Sequence, residues 1–143
     1  MRMWHKDLIC VLPEKQLLAQ WRELCCIAKN LNNNGTPNHL LVNKVLDYSS
    51  THFIEYCNIV MKEMAKRNIN IKQDVYLRLC ENIQEAQNKN TFGIMFCDNL
   101  YEYWMNERYL KQCLCNLQEK WDCGGIPGKE WLKIAEKYGR LLK

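Results

Sequence analysis

Residues 13–31 place the first constraint on the fold. Leu17, Leu18, Trp21, Leu24, Cys25, Ala28 and Leu31 recur at the spacing of one helical face, and such a stripe is stable only where a neighbouring element covers it. Pro13 suits the first helical position, where its missing N–H would be unpaired anyway. The Asn-rich run 30–35 is a loop signal that ends this helix. Thr36-Pro37 reads as a cap and first turn for a short helix through Leu40, Leu41, Val45 and Leu46, stopping near 47–50. A third helix is predicted over 51–67, with Phe53, Ile54, Cys57, Val60, Met61 and Met64 as its stripe. Asp74 can cap a fourth through Val75, Leu79 and Ile83, ended by the polar run 84–90. Asp98 can cap a long fifth through Leu100, Trp104, Leu110, Cys113, Leu114, Leu117 and Trp121, stopped by Gly124-Gly125. After the Pro127-Gly128 turn, residues 129–142 form a last helix with Trp131, Leu132, Ala135 and Tyr138. Residues 1–11 read as an extended or irregular arm. Strand-type alternation is nowhere sustained, and no repeat or long linker divides the chain. The expectation is an all-α fold, one compact domain over residues 1–143 with about five to six helices, and a monomer.

The chain is long enough to bury a sizeable core. Its formal charge of +4 permits a polyanionic partner without requiring one, so the arrangement of charge matters more than its sum. No apolar run precedes a cleavage site, and none approaches the ~18 residues of a membrane span. Nine cysteines, an odd number, then read as reduced, mostly buried thiols of a cytosolic protein, used as small hydrophobes. Cys113, Cys115 and Cys123 are close in sequence, but there is no CxxC pair, and Cys113 and Cys115 would point to different faces of a helix. A zinc site is rejected on that ground.

The first helix has three faces. Its apolar stripe centres between Leu17 and Trp21. Lys15, Arg22 and Lys29 follow one another at i, i+7 and i+14 on one flank, while Gln16, Gln20 and Glu23 lie on the other, away from the core. Arg22 and Glu23 are neighbours in sequence, diverge by roughly 100°, and need not pair. The plain reading is a solvated helix face. The functional reading is the wall of a DNA cleft, in which the basic flank meets phosphates. A lone carboxylate facing DNA is repulsive, hence out of place on a pure binding surface and sensible in a catalytic site.

The N-terminal Met1-Arg2, the helix segment TrpArgGluLeu (21–24) and the segment MetLysGluMetAlaLysArgAsnIleAsnIle (61–71) together resemble the phage-type pyrimidine-dimer DNA glycosylases, the endonuclease V family. The likeness covers about residues 1–72. The block 108–126 is similar to a bacterial branch assigned to the same family. The resemblance implies an endonuclease V-like fold and an enzyme that binds damaged double-stranded DNA at a pyrimidine dimer, kinks it and flips out the base opposite the lesion. It implies that the α-amino group of the first residue attacks C1′ of the damaged nucleotide, leaving a Schiff base from which β-elimination cleaves the strand. An amine is required because only a nitrogen nucleophile forms an iminium with the opened sugar. A chain-terminal amine ordinarily has a pKa of ~7.7–8.0 against ~10.4 for lysine, so far more of it is unprotonated near neutrality.

By the same resemblance the essential glutamate is Glu23, which stabilises positive charge and assists proton transfer. Arg22 and Arg2 grip phosphates. No metal and no cofactor is required, and the protein works in the cytoplasm, on the nucleoid when bound to DNA. Three departures stand out. Bulky Arg2 disfavours removal of Met1, so the nucleophile becomes the amine of Met1 itself. A family histidine early in the helix is Gln16 here, and an arginine one turn after the glutamate is Cys26. Lys15, Gln16 and Lys29 complete the expected DNA face. His5 follows the arm and can line the cleft, His39 stands where relatives often carry a histidine, and His52 is assigned to the surface. Residues 131–139 are similar to an aromatic-basic tail of the phage type, although Trp131 and Tyr138 are more simply core. Two other readings stay open: a helical DNA-binding module without catalysis, and a helical protein–protein interaction domain.

Overall fold

A computed structural model describes residues 1–142. The described residues form five α-helices, α1 (Glu14–Asn34), α2 (Ser50–Lys66), α3 (Gln73–Asn88), α4 (Glu107–Asp122) and α5 (Gly128–Tyr138), with two 3-10 segments, Lys6–Val11 and Val42–Asp47. No strand occurs among them, and the only β pairing is an isolated bridge between Tyr48 and Met95. Among the described residues no helix is long and apolar enough to cross a membrane.

Helix α1 is the spine. Pro13 is its cap rather than its first residue, and the helix runs on through the Asn-rich stretch to Gly35, whose left-handed φ of 72° lets its N–H close on Leu31 C=O. It buries Leu17, Trp21, Leu24, Ile27, Ala28 and Leu31 against α2 and α3, each large side chain worth about 1.5–3 kcal/mol relative to exposure. Helix α3 presents Leu79, Ile83 and Ala86 in return. The far ends of the two helices are joined by Lys89, whose Nζ donates to Asn32 C=O (2.8 Å) and Oδ1 (2.7 Å). Helix α2 carries Phe53, Tyr56, Cys57, Val60 and Met64 into the same core. At its C-terminal end Arg67 donates to Glu63 (3.0 Å) and to the carbonyl of Leu12 (2.7 Å), bracing the chain where it enters α1.

Three expectations are corrected. The helix expected from Asp98 begins instead at Glu107, capped by Asn106, whose side chain accepts from Tyr109 N–H at 3.0 Å. Tyr101 sits at φ 48° and interrupts any helical path before it. That conformation is held by the rings of Tyr48, His52 and Trp104, with centroids 4.8–5.3 Å away. Thr36-Pro37 does not start a helix, and a 3-10 segment begins only at Val42. The thiols are not mostly buried: Cys57 and Cys113 are, Cys25 and Cys97 are half-buried, and Cys10, Cys26, Cys80, Cys115 and Cys123 are exposed.

His52, assigned to the surface by the sequence, is buried at 2% exposure beneath the 91–105 loop. The N–H groups of Cys97 (3.2 Å) and Tyr101 (3.1 Å) point at its two ring nitrogens. A neutral imidazole can accept at only one of them, and a second proton would leave an N–H facing an N–H on both sides. Burial holds both His52 and His5 below the ordinary imidazole pKa, outweighing Glu55 beside the first and Asp7 beside the second. The unfolded chain therefore binds more protons than the folded one below about pH 6.5. Unfolding by urea is expected to show a plateau of stability above about pH 6.5 and a decline as the pH falls through it. His52→Asn should lose about 1–3 kcal/mol at neutral pH and flatten that decline; an unaltered slope would assign the acid sensitivity to other groups.

Candidate active site

The five residues before the first 3-10 segment lie against α1 with their backbone partly inside the protein. Met3 and Trp4 are buried, and buried backbone N–H and C=O groups need partners. Helix α1 supplies them from two side chains one turn apart. Gln20, fully buried, donates from Nε2 to Arg2 C=O (2.9 Å) and accepts Trp4 N–H on Oε1 (2.8 Å). Glu23, half-buried, accepts Arg2 N–H on Oε2 (3.0 Å), and its Oε1 lies 3.6 Å from the α-amino nitrogen of Met1. From α2 the Tyr56 hydroxyl shares its proton between Trp4 C=O (2.6 Å) and Gln20 Oε1 (3.0 Å). From α4 the Tyr109 hydroxyl donates to Met3 C=O. Burial holds both phenols well above their ordinary pKa, so they remain donors.

The structure thus brings Met1 and Glu23 together, with Arg2 between them. The Arg2 guanidinium lies over the Trp4 ring at 4.8 Å, a contact worth about 0.5–1 kcal/mol. The amine–carboxylate pair is at the surface. The cavity between α2 and α3, lined by Ile54, Cys57, Met61, Tyr76, Leu79 and Ile83, does not include it.

Lys15, Arg22 and Lys29 are all exposed along one line of α1. Gln16 is half-buried, and its carbonyl oxygen has no hydrogen-bond partner among the described residues. His39 is exposed on the loop beyond α1, where its N–H donates to Asn43; the helix from Glu23 to its C-cap at Gly35 spans about 18 Å. His5 does not line a cleft. It is buried at 2% exposure, its Nε2–H donates to Met105 C=O (2.9 Å), and its Nδ1 accepts Asp7 N–H (3.1 Å) to cap the 3-10 segment. With both nitrogens engaged inside the protein it has none to offer a phosphate.

Gln20 is a further correction, because the expected solvent-facing residue is wholly inside. Leu18 and Cys25, counted in the apolar stripe, are only half-buried, whereas Ile27 is fully buried. The buried face is therefore turned toward Gln20, which sits three residues after Leu17 and four before Leu24, at core spacing. A polar residue at a core position was the available signal. Tyr56 and Tyr109 gave none, since both fall among ordinary apolar stripe positions.

A family model described as pyrimidine dimer DNA glycosylase matches residues 1–77, from the terminal arm through α1 and α2 into the start of α3. The chain belongs to this family. Comparison with curated proteins and with solved structures gave no match. As a pyrimidine dimer DNA glycosylase family member it has DNA as its substrate class, and the matched half holds Met1, Arg2, Gln20, Glu23 and Tyr56. Tyr109, from outside the matched half, reaches the same arm.

If the exposed line on α1 carries phosphates, replacing Lys15, Arg22 or Lys29 by Gln lowers the slope of log affinity against log salt by about 0.9 each. Fluorescence anisotropy over a salt series measures this; an unchanged slope in the triple variant would put the duplex on another face.

Proposed function

We propose that the protein is a DNA repair N-glycosylase with AP-lyase activity, acting on pyrimidine dimers through the α-amine of Met1 with Glu23 as its partner. One observation carries the reading: a carboxylate whose one oxygen is fixed on Arg2 N–H and whose other faces the Met1 nitrogen at 3.6 Å. A surface carboxylate beside a free amine is unremarkable alone. Here the carboxylate is held by a backbone N–H one residue from the amine, in a family described as pyrimidine dimer DNA glycosylase.

In this reading the unprotonated amine attacks C1′ of the damaged nucleotide. The C1′–N bond to the pyrimidine breaks, its electron pair leaves with the base, and the base nitrogen takes a proton. The new C1′–N bond becomes an iminium as the ring oxygen departs protonated. Loss of a proton from C2′ then expels the 3′ phosphate, and water releases the sugar from the enzyme. Glu23 accepts the proton lost by the attacking amine and opposes the positive charge that develops on the sugar and the iminium. Arg2, Lys15, Arg22 and Lys29 hold the phosphates that bring C1′ to the amine, with Gln16 beside them on α1. His39 is kept as an outlying DNA contact. His5 is left out because of its burial.

Borohydride is expected to trap a covalent adduct between the untagged protein and a duplex with an abasic site, and peptide mapping should place the adduct on Met1. Acetylation of the N-terminus should abolish trapping. Glu23→Gln should lower strand cleavage by about 100-fold or more while still binding the duplex. An adduct on a lysine, or no adduct from a protein that binds, would defeat the proposal and leave a binding module.

A further inference from the structure

The terminal arm is gripped at three successive residues by side chains from three helices. A backbone stretch can be satisfied by water at its edge, as most chain termini are. Here instead the two polar atoms of a fully buried carboxamide, Gln20, are both spent on the arm, one on Arg2 C=O and one on Trp4 N–H. The intervening carbonyl, of Met3, is held by the Tyr109 hydroxyl from a different helix. Tyr56 closes the next, Trp4 C=O, and touches Gln20 as it does so. Three successive carbonyls, of residues 2, 3 and 4, are thus each fixed by a separate buried donor. The hydrogen-bonding groups alternate along an extended chain, so a slip of one residue would leave every one of these donors facing the wrong atom.

We infer that Gln20 and Tyr109 are positioning residues for the nucleophile: they lock the register of the arm, so that Arg2 N–H meets one oxygen of Glu23 and the amine of residue 1 faces the other. The inference rests on the reading of the Met1 amine as nucleophile. Neither residue touches the amine. They act through the backbone of residues 2–4, which ends one residue short of the reacting nitrogen. Gln20 and Glu23 share a face of α1 at i and i+3, so the helix itself sets the distance between the grip on the arm and the carboxylate. An unlocked arm would still bring the amine near Glu23 for part of the time, which predicts a slower chemical step rather than a weaker complex.

The experiment is single-turnover borohydride trapping at saturating abasic duplex, with duplex affinity measured separately by anisotropy and folding by thermal melting. Two variants are used. Gln20→Met keeps the shape and removes both hydrogen bonds. Tyr109→Phe keeps the ring and removes only the hydroxyl, and it stands as the test should Gln20→Met fail to fold. Each is expected to slow trapping by about 10- to 100-fold, with duplex affinity within about twofold of the parent and melting well above the assay temperature. Trapping at the parental rate in the folded variants would overturn the inference. So would an equal loss of rate and affinity, which would mean that these residues only build the fold. If the parent protein gives no adduct, the reading of Met1 as nucleophile fails, and the positioning role with it.

Discussion

The structure depends on satisfying a short piece of backbone that has been taken out of water. Residues 2–4 are drawn into the protein by the side chains of Met3 and Trp4, which enter the common core. Each unpaired N–H or C=O left behind would cost about 1–3 kcal/mol. That cost explains polar groups that are otherwise out of place: a glutamine at a core position of α1 and two phenol hydroxyls deep among apolar neighbours. It also explains why α1, α2 and α4 must converge at one point, since each contributes one of the partners. The helices are far apart in sequence, and the arm is what they have in common.

The second half of the chain acquires a role in this light. Residues 78–142 lie outside the family match. Yet Tyr109 holds Met3, Met105 C=O accepts from the buried His5, and Lys6 donates to Leu100 C=O at 2.5 Å. The loop before α4 is in turn seated on the end of the second 3-10 segment. Gly93 packs there so closely that a Cβ would meet Asp47 O at 2.6 Å, and Ser49 N–H donates to Met95 C=O at 2.8 Å. The unmatched half thus adds its own supports to the arm. Arg67, within the segment 61–71 that carried the family likeness, does the equivalent at the other end by gripping Leu12 C=O.

What could be read from the sequence divides along physical lines. Helices α1 and α2 were legible because an apolar stripe of period 3.6 is a strong and local signal, and α2 falls within one residue of its expected bounds at each end. Lys15, Arg22 and Lys29 were legible as an exposed line for the same reason. The start of α4 was not, because a long-range contact decides it: Cys97 and Tyr101 give their N–H groups to His52, some 45 residues earlier, and an aspartate that looks like a cap cannot reveal that. His5 and His52 were misplaced by the same blindness, since polarity suggests a cleft or a surface and only the fold shows that both rings are buried against backbone groups. Gln20 lies between these cases. Its spacing was visible, but the stripe had been widened to take in Leu18 and Cys25, whose half-exposure turns the true face away from them.

One departure from the family likeness was Met1, whose amine takes the place of the nucleophile because bulky Arg2 disfavours its removal. The geometry removes much of its force. Glu23 does not recognise the first side chain at all. Its two oxygens address two successive backbone nitrogens, Met1 N at 3.6 Å and Arg2 N at 3.0 Å. The contacts that hold the arm begin at Arg2 and run inward, so the side chain of residue 1 enters none of these hydrogen bonds, and a larger residue there disturbs none of them. Were the chain to begin at Arg2 instead, its terminal nitrogen would already stand at the other oxygen of the same carboxylate. The arrangement that supports the proposed reading is therefore a glutamate one turn beyond a buried glutamine, with an amine at the end of the arm that the glutamine grips. On the proposed reading of the amine as nucleophile, the size of the first residue bears on how the chain is processed and little on the contacts that hold the arm.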